Sequence, residues 1–171
     1  MASDPRRRLT LAISIIGTVV VTLYAAWAYI HIIVLNPLAA VPGLPLEEIW
    51  RQTELSQGSI DRFVVPAILA VGPVLALILL VLGQILLRNE PEWVVVGYLG
   101  ILVLGAPAEF VASFSPGMNL ADTFAISGAD YSPWAAPLMA TSALALVAFL
   151  ASIAAIGFRA ARSSASPAAA G

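Results

Sequence analysis

Residues 63–87 read FVVPAILAVGPVLALILLVLGQILL and decide the fold class, because these 25 residues contain no charged side chain. A bilayer core of about 30 Å requires roughly 20 apolar residues in an α-helix. Three further apolar stretches meet this requirement, namely residues 9–35, 93–114 and 135–158. Only helices or closed barrels satisfy their backbone in lipid, and these runs lack the alternation of a barrel. The sequence therefore predicts an all-α integral membrane protein with four transmembrane helices in an antiparallel bundle.

The composition supports this interpretation. Of 171 residues, 60% are hydrophobic and 11% are charged, against roughly 45 to 50% and about 25% in soluble domains. The chain has no Cys and a single His, which argues against thiolate or multi-histidine metal sites, so we predict no metal and no cofactor. The net charge of -2 argues against a nucleic-acid partner. Partners are then expected in the lipid bilayer, as another membrane protein or as further copies of the chain.

The arginines indicate the orientation, since basic residues near span ends resist translocation. All eight basic residues are Arg, a composition typical of a GC-rich bacterial genome. One side of the predicted bundle collects six of them: Arg6, Arg7, Arg8, Arg88, Arg159 and Arg162. The other side has Arg51 and Arg62. We therefore predict a multi-pass protein of the bacterial plasma membrane with both termini in the cytoplasm.

The chain divides into a single membrane domain over residues 1–162 and a disordered cytoplasmic tail over residues 163–171. A short amphipathic helix is predicted over residues 45–56 in the first extracytoplasmic loop. Residues 36–45 are rich in proline and predict a stiff link, and residues 115–134 predict a second loop. Asp4-Pro5 and Ser132-Pro133 predict helix starts, and Asn89 predicts the start of the third span. An alternative is a cleavable signal peptide, because Arg6–Arg8 precede an apolar run that contains the small-residue pattern Ala26-Trp27-Ala28.

The ionisable residues within the spans lie near the outer interface. Counted along an ideal helix, Glu109 is about 24 Å from the inner end of its span and His31 is about 33 Å from its own. Their similar depth leads to the hypothesis of an interfacial His31–Glu109 pair that acts as a pH-sensitive latch. The alternative is a solvated histidine at the level of the lipid headgroups.

The middle of the bilayer holds hydroxyls but no charge, which disfavours autonomous transport, because transporters keep an ionisable side chain or a broken helix there. Ser14, Thr18 and Thr22 repeat on one face of the first span. They either bond between helices and to the preceding turn, or line a pore. Small residues predict helix packing within the bundle or between subunits, at Gly72, Ala76, Gly97, Gly100, Ala148 and Ser152. Prolines predict kinks in the spans, most strongly at Gly72-Pro73.

One local pattern resembles a known family. Asn119-Leu120-Ala121-Asp122, followed by Ile126 and Gly128 and preceded by Glu109-Phe110, is similar to the end of lipoprotein signal peptidases, which are also four-span proteins. The resemblance implies a paired-carboxylate hydrolase in which Asp122 matches the second aspartate and Glu109 replaces the first. The other motifs of that family have no counterparts in this chain. The alternative is that Asn119 and Asp122 are turn or cap residues.

Three functions remain open at this point. The first is a non-enzymatic accessory or scaffold subunit of a plasma-membrane assembly, favoured because the sequence contains no nucleotide loop, metal cluster or nucleophile–base pair. The second is an outer-leaflet hydrolase that uses Glu109 and Asp122. The third is a subunit of an oligomeric channel or transporter.

Overall fold

The computed structural model describes residues 4–58 and 61–165, and it confirms four long apolar helices packed antiparallel, with a short helix between the first two. In chain order its elements are α1 (Pro5–Ile30), a π-helical segment (His31–Leu35), α2 (Asn36–Ala40), α3 (Leu46–Gln57), α4 (Asp61–Ile85), α5 (Pro91–Val103), α6 (Gly105–Phe124), a 3₁₀ turn (Pro133–Ala135) and α7 (Ala136–Ala165).

The four candidate membrane spans are Pro5–Ala40, Phe63–Ile85, Pro91–Phe124 and Pro133–Ser163. At most 22% of any apolar window is buried inside the bundle, so most of this apolar surface contacts lipid. The end that holds α3 and residues 125–132 is called the capped end. The opposite end, which holds Arg6–Arg8, Arg88 and Arg159, is called the arginine-rich end.

Helix α1 packs mainly against α4 and α5, where its small and hydroxyl residues allow close approach. The ring of Tyr98 in α5 lies against the backbone of Gly17, so closely that a Cβ atom there would overlap it. The Tyr98 hydroxyl lies 2.9 Å from the Thr18 hydroxyl and donates a 3.0 Å hydrogen bond to the Ala76 carbonyl in α4. This contact joins three spans through one side chain.

Two predicted helix starts are confirmed. The carboxylate of Asp4 accepts a hydrogen bond from the backbone N–H of Arg6, and the hydroxyl of Ser132 accepts one from Trp134, as expected of N-caps. The expectation that Asn89 starts the third span is wrong. The N-cap is Glu90, which makes no side-chain cap, and Pro91 follows it at the first helical position.

The predicted link over residues 36–45 is wrong in its first half, since the helical path continues through His31–Leu35 to Ala40, and residues 41–45 form the turn. Pro37 has no N–H to donate to the Ile33 carbonyl, which an α-helix would pair with it. The wider π-turn accommodates the proline, and its backbone bond runs from Asn36 N–H to the His31 carbonyl. The freed Ile33 carbonyl instead accepts a 2.9 Å bond from the Trp50 indole in α3. The loop helix thus stabilises the end of the first span.

The second loop is shorter than predicted, because α6 continues to Phe124. Ser115-Pro116-Gly117 is locally typical of a turn, but a buried face continues through Ala112, Pro116 and Leu120 at helical spacing. Packing of this face overrides the local preference. The helix ends at Ala125, a left-handed residue with φ 53°, and Ile126 N–H bonds back to the Ala121 carbonyl.

The third span is broken at Leu104, between α5 and α6. In an unbroken helix the Ala106 N–H would bond to the Leu102 carbonyl. Here the Ser142 hydroxyl of α7 lies between them, accepting from Ala106 N–H at 3.0 Å and donating to the Leu102 carbonyl at 2.8 Å. Insertion of a side chain into the backbone ladder is an established cause of a helix break. The break lies three residues before Pro107, one of the prolines at which a kink was predicted, whereas α4 runs unbroken past Pro66 and Pro73.

At the chain end, α7 extends to Ala165, so residues 163–165 of the predicted tail are helical. Residues 166–171 lie outside the described residues. Helix α3 begins and ends within one residue of the predicted helix over residues 45–56. Its predicted apolar face is buried at Ile49.

Candidate functional site

The structure brings His31 and Glu109 together across the first and third spans. The Nδ1 atom of His31 lies 3.4 Å from the Oε1 atom of Glu109, and the two side chains are 0% and 2% exposed. This separation is that of an ion pair and is longer than the roughly 2.7–2.9 Å of a strong charge-assisted hydrogen bond. The pair is therefore not a solvated interfacial contact but lies inside the bundle.

The polar atoms of this pair are poorly satisfied. Within the described residues, three buried side-chain atoms have no hydrogen-bond partner, and all belong to the pair: both ring nitrogens of His31 and Oε1 of Glu109. Buried polar groups in native proteins are nearly always bonded, so an exception calls for an explanation. The concentration of all three exceptions in one contact makes it the candidate functional site.

The π-helical segment places this site beneath the capped end. In a π-helix each backbone N–H bonds to the carbonyl five residues earlier, so His31 and Asn36 lie on the same face of the segment. The Asn36 side-chain oxygen accepts hydrogen bonds from the backbone N–H groups of Tyr131 and Ser132, at 2.7 and 3.3 Å. The segment therefore fixes the end of the loop over residues 125–132 above the histidine.

Asp130 belongs to this arrangement, because it precedes the two residues that Asn36 holds. Burial raises the pKa of the Asp130 carboxyl above its ordinary value, the Glu109 carboxylate raises it further, and His31 opposes them. Asp130 is exposed, whereas the pair is buried. It thus lies at the exposed capped end, within electrostatic range of both His31 and Glu109.

Aromatic side chains cover the same end of the bundle. The rings of Trp27 and Trp134 meet edge to face with centroids 5.6 Å apart, and the Trp27 indole donates to the Trp134 carbonyl at 3.2 Å. Beneath them, Ala28, Ile32 and Leu138 belong to a buried apolar cluster. The surroundings of the pair are therefore low in polarity, which strengthens its electrostatic interactions.

The structure does not bring Glu109 and Asp122 together. Both lie on the uninterrupted helix α6, where thirteen residues correspond to a rise of about 20 Å. Two carboxylates that cooperate in hydrolysis lie within about 10 Å of each other. Asn119 and Asp122 are also not turn residues, because they lie inside the helix.

The hydroxyl stripe of the first span is used inside the bundle. Ser14, Thr18 and Thr22 each donate to the carbonyl four residues earlier. Ser14 also accepts a bond from Gln84 in α4, and Thr18 contacts the Tyr98 hydroxyl in α5. These contacts fit the packing interpretation of the stripe, and Ser14, which is fully buried, is not available to a pore in this fold.

Four of the six predicted packing residues lie at contacts within the chain. Gly72 faces Val21, Gly97 faces Leu79 and Gly100 faces Phe149, and Ala76 is fully buried. Ala148 is exposed, and Ser152 is intermediate and lines a small cleft with Glu92 and Arg159.

Sequence reasoning missed Gly17, Gly105 and Ser142. The first two lie against the rings of Tyr98 and Tyr24. Gly17 directly precedes Thr18 of the hydroxyl stripe, and Gly105 lies two residues before Pro107. These neighbours were the signal in the sequence.

A second feature is an apolar lateral groove, a cavity of about 110 Å³ between α1, α4 and the broken third span. Its lining includes the small residues Gly72, Gly105 and Ala108, and Tyr24 is the one lining side chain with a polar group. The remaining lining residues are Val21, Ala25, Ile68, Leu69, Val71, Leu75, Ile101, Leu102 and Leu104. The break at Leu104 thus creates an apolar recess on the side of the bundle.

Among the described residues, no group of three or more His, Cys, Asp or Glu side chains lies close enough to hold a metal ion. Comparison with protein-family models, with curated proteins and with solved structures finds no match to this chain.

Proposed function

We propose that this chain is a non-enzymatic accessory subunit of a bacterial plasma-membrane assembly, and that it docks a transmembrane helix of another protein in the lateral groove. Both termini lie in the cytoplasm in this proposal, in line with the arginine distribution. The observation that carries the proposal is the groove, an apolar recess at mid-span depth whose lining includes glycine and alanine.

The lining of the groove suits a helix. Small residues let a partner backbone approach closely, which is how helices associate where the surrounding lipid is as apolar as the helices themselves. A cavity of about 110 Å³ is smaller than the roughly 150 Å³ cavity that holds benzene, so it fits one large aliphatic side chain. A partner helix with a single Leu or Ile at the contact matches this size.

Two rival functions, the hydrolase and the channel, lack such support. The hydrolase requires Glu109 and Asp122 to share a site, and α6 separates them by about 20 Å. The channel requires the hydroxyl stripe to line a pore, and Ser14 is fully buried inside the chain.

Two glycines provide a matched test of docking. A Cβ at Gly72 meets only Val21, at an ordinary contact distance of 3.5 Å, so we expect Gly72→Leu to extend from the lining into the groove, and thermal unfolding of the variant checks that it is folded. A Cβ at Gly157 in α7 meets nothing within 4 Å, so Gly157→Leu adds the same side chain away from the groove. In one variant of the chain, the photocrosslinker benzoylphenylalanine replaces Leu75, which lines the groove. In a second variant of the chain, it replaces the exposed Leu77.

In native-host membranes we expect the crosslinker at position 75 to give a discrete protein adduct and the crosslinker at position 77 to give none. Gly72→Leu should abolish the adduct at position 75, and Gly157→Leu should retain it. An adduct with a second copy of the chain would contradict a heterologous partner. Adducts with lipid alone, or an adduct that survives Gly72→Leu, would contradict docking in the groove.

A further inference from the structure

We propose that His31 and Glu109 form a buried binding site for one proton, which exchanges with the aqueous phase at the capped end through Asp130. The observations that carry this proposal are the 3.4 Å contact, the near-complete burial of both side chains and the unpartnered ring nitrogens. The lateral groove plays no part in it, so this proposal and the docking proposal stand or fall separately.

The proton count follows from burial. An unpaired charge in an apolar interior costs far more than a paired one. The pair is neutral overall when it holds one proton beyond the carboxylate and the neutral imidazole, whichever of the two groups carries it. Removing that proton leaves a net negative charge in the bundle, and adding a second leaves a net positive charge. We therefore expect the two side chains to share one proton.

Among the side chains that the structure describes, few other ionisable groups face the pair. Tyr24 of α1 and Asp130 of the loop are within electrostatic range of Glu109. The parts of α4 and α7 that pack around the site contribute the apolar Val65, Leu69 and Leu138. On α3 the charges Glu47, Glu48, Arg51 and Glu54 lie outside its buried residues Ile49 and Thr53, and Glu48 is bound to Arg51. Among the described side chains, Asp130 is an exposed carboxylate within electrostatic range of the site, and we assign the link to water to it.

The local backbone lets the site respond to its proton. His31 opens a π-helical segment, and Glu109 follows the helix break by five residues. Irregular turns of this kind have alternative backbone hydrogen bonds at small cost and often mark functional positions. Asn36, in the same segment, holds the loop that carries Asp130. A change in the pair thus reaches both the third span and the capped end.

His31 is the only histidine, so selectively ¹⁵N-histidine-labelled full-length protein in lipid nanodiscs gives a single set of imidazole resonances. We expect one pH-dependent transition of these resonances between about pH 4 and 10, with a midpoint that Glu109→Gln moves by at least about one pH unit. Asp130→Asn should move it by a smaller, measurable amount. Asp122→Asn is the matched control, because it is exposed on α6 at about 20 Å from Glu109, and it should leave the midpoint unchanged.

A midpoint that Glu109→Gln leaves within about 0.3 pH units of the unmodified protein would overturn the shared site, as would the absence of any transition in this range. If Glu109→Gln does not fold, the unmodified protein still tests the shared site through the presence or absence of the transition, and the two exposed aspartates test the exchange route. Equal shifts from Asp130→Asn and Asp122→Asn would overturn the assignment of Asp130.

Discussion

At the scale of single residues, the bundle depends on glycine where an aromatic ring crosses a helix. Gly17 lies against the buried Tyr98 ring, which also bonds α1 to α4. Gly17→Ala would displace this ring, and we expect it to lower the free energy of unfolding by about 1–3 kcal/mol, the usual cost of overpacking. Gly157→Ala is the control, because a Cβ there meets nothing and alanine favours the helix. Thermal unfolding in mild detergent measures both, and equal effects would refute the packing argument.

Asp130 gives a residue-scale prediction with a definite sign. Folding raises the pKa of its carboxyl above 3.8, first by burial and then by Glu109. The folded state therefore favours the protonated form, so this contribution to stability is complete below the ordinary pKa and is lost as the pH rises through the folded value. Asn cannot ionise, so the Asp130→Asn variant does not lose this stability as the pH rises. We expect the variant to unfold at a higher temperature than the unmodified protein at pH 7, but at the same temperature near pH 3. A difference that is equal at both pH values would show that ionisation is not its cause.

At the scale of elements, the break in the third span is held by one hydroxyl. Ser142 bonds to groups on both sides of Leu104, so Ser142→Ala leaves a buried donor and a carbonyl without their partner. The expected loss is about 1–3 kcal/mol of unfolding free energy. Ser152→Ala on the same helix is the control, because Ser152 donates to the Ala148 carbonyl of its own helix. Chemical denaturation in detergent measures both. A Ser142→Ala variant as stable as Ser152→Ala would contradict this role.

The elements also show what the sequence could predict. The four spans follow from the lengths of the apolar runs, and α3 follows from its proline start and apolar face, because both signals are local. The continuation of α6 through Ser115-Pro116-Gly117 depends on packing of Pro116 and Leu120, which local turn preferences do not contain. The π-turn depends on Trp50 of another helix binding the Ile33 carbonyl. The similar depth of His31 and Glu109 could be counted, but their burial requires α4, α7 and the loop around them.

At the scale of the whole molecule, the charges divide the bundle into an arginine-rich end and a capped end, and we propose that the first faces the cytoplasm. The chain has no Cys, so single cysteines report orientation without background. In intact bacterial cells we expect a membrane-impermeant maleimide to label Ala129→Cys at the capped end. Ala161→Cys near the end of α7 should react only after permeabilisation. The reverse pattern would invert the topology.

The central claim for the whole molecule is that a buried His31–Glu109 contact joins the first span to the third, since the proton site depends on it. A double-mutant cycle of unfolding free energies tests this contact most directly, with His31→Ala, Glu109→Ala and the double variant. Each single change leaves a buried group unpaired and is expected to cost about 3–5 kcal/mol. The double variant should cost less than their sum, by at least about 1 kcal/mol. Costs that add within about 0.5 kcal/mol would show that the two side chains do not interact.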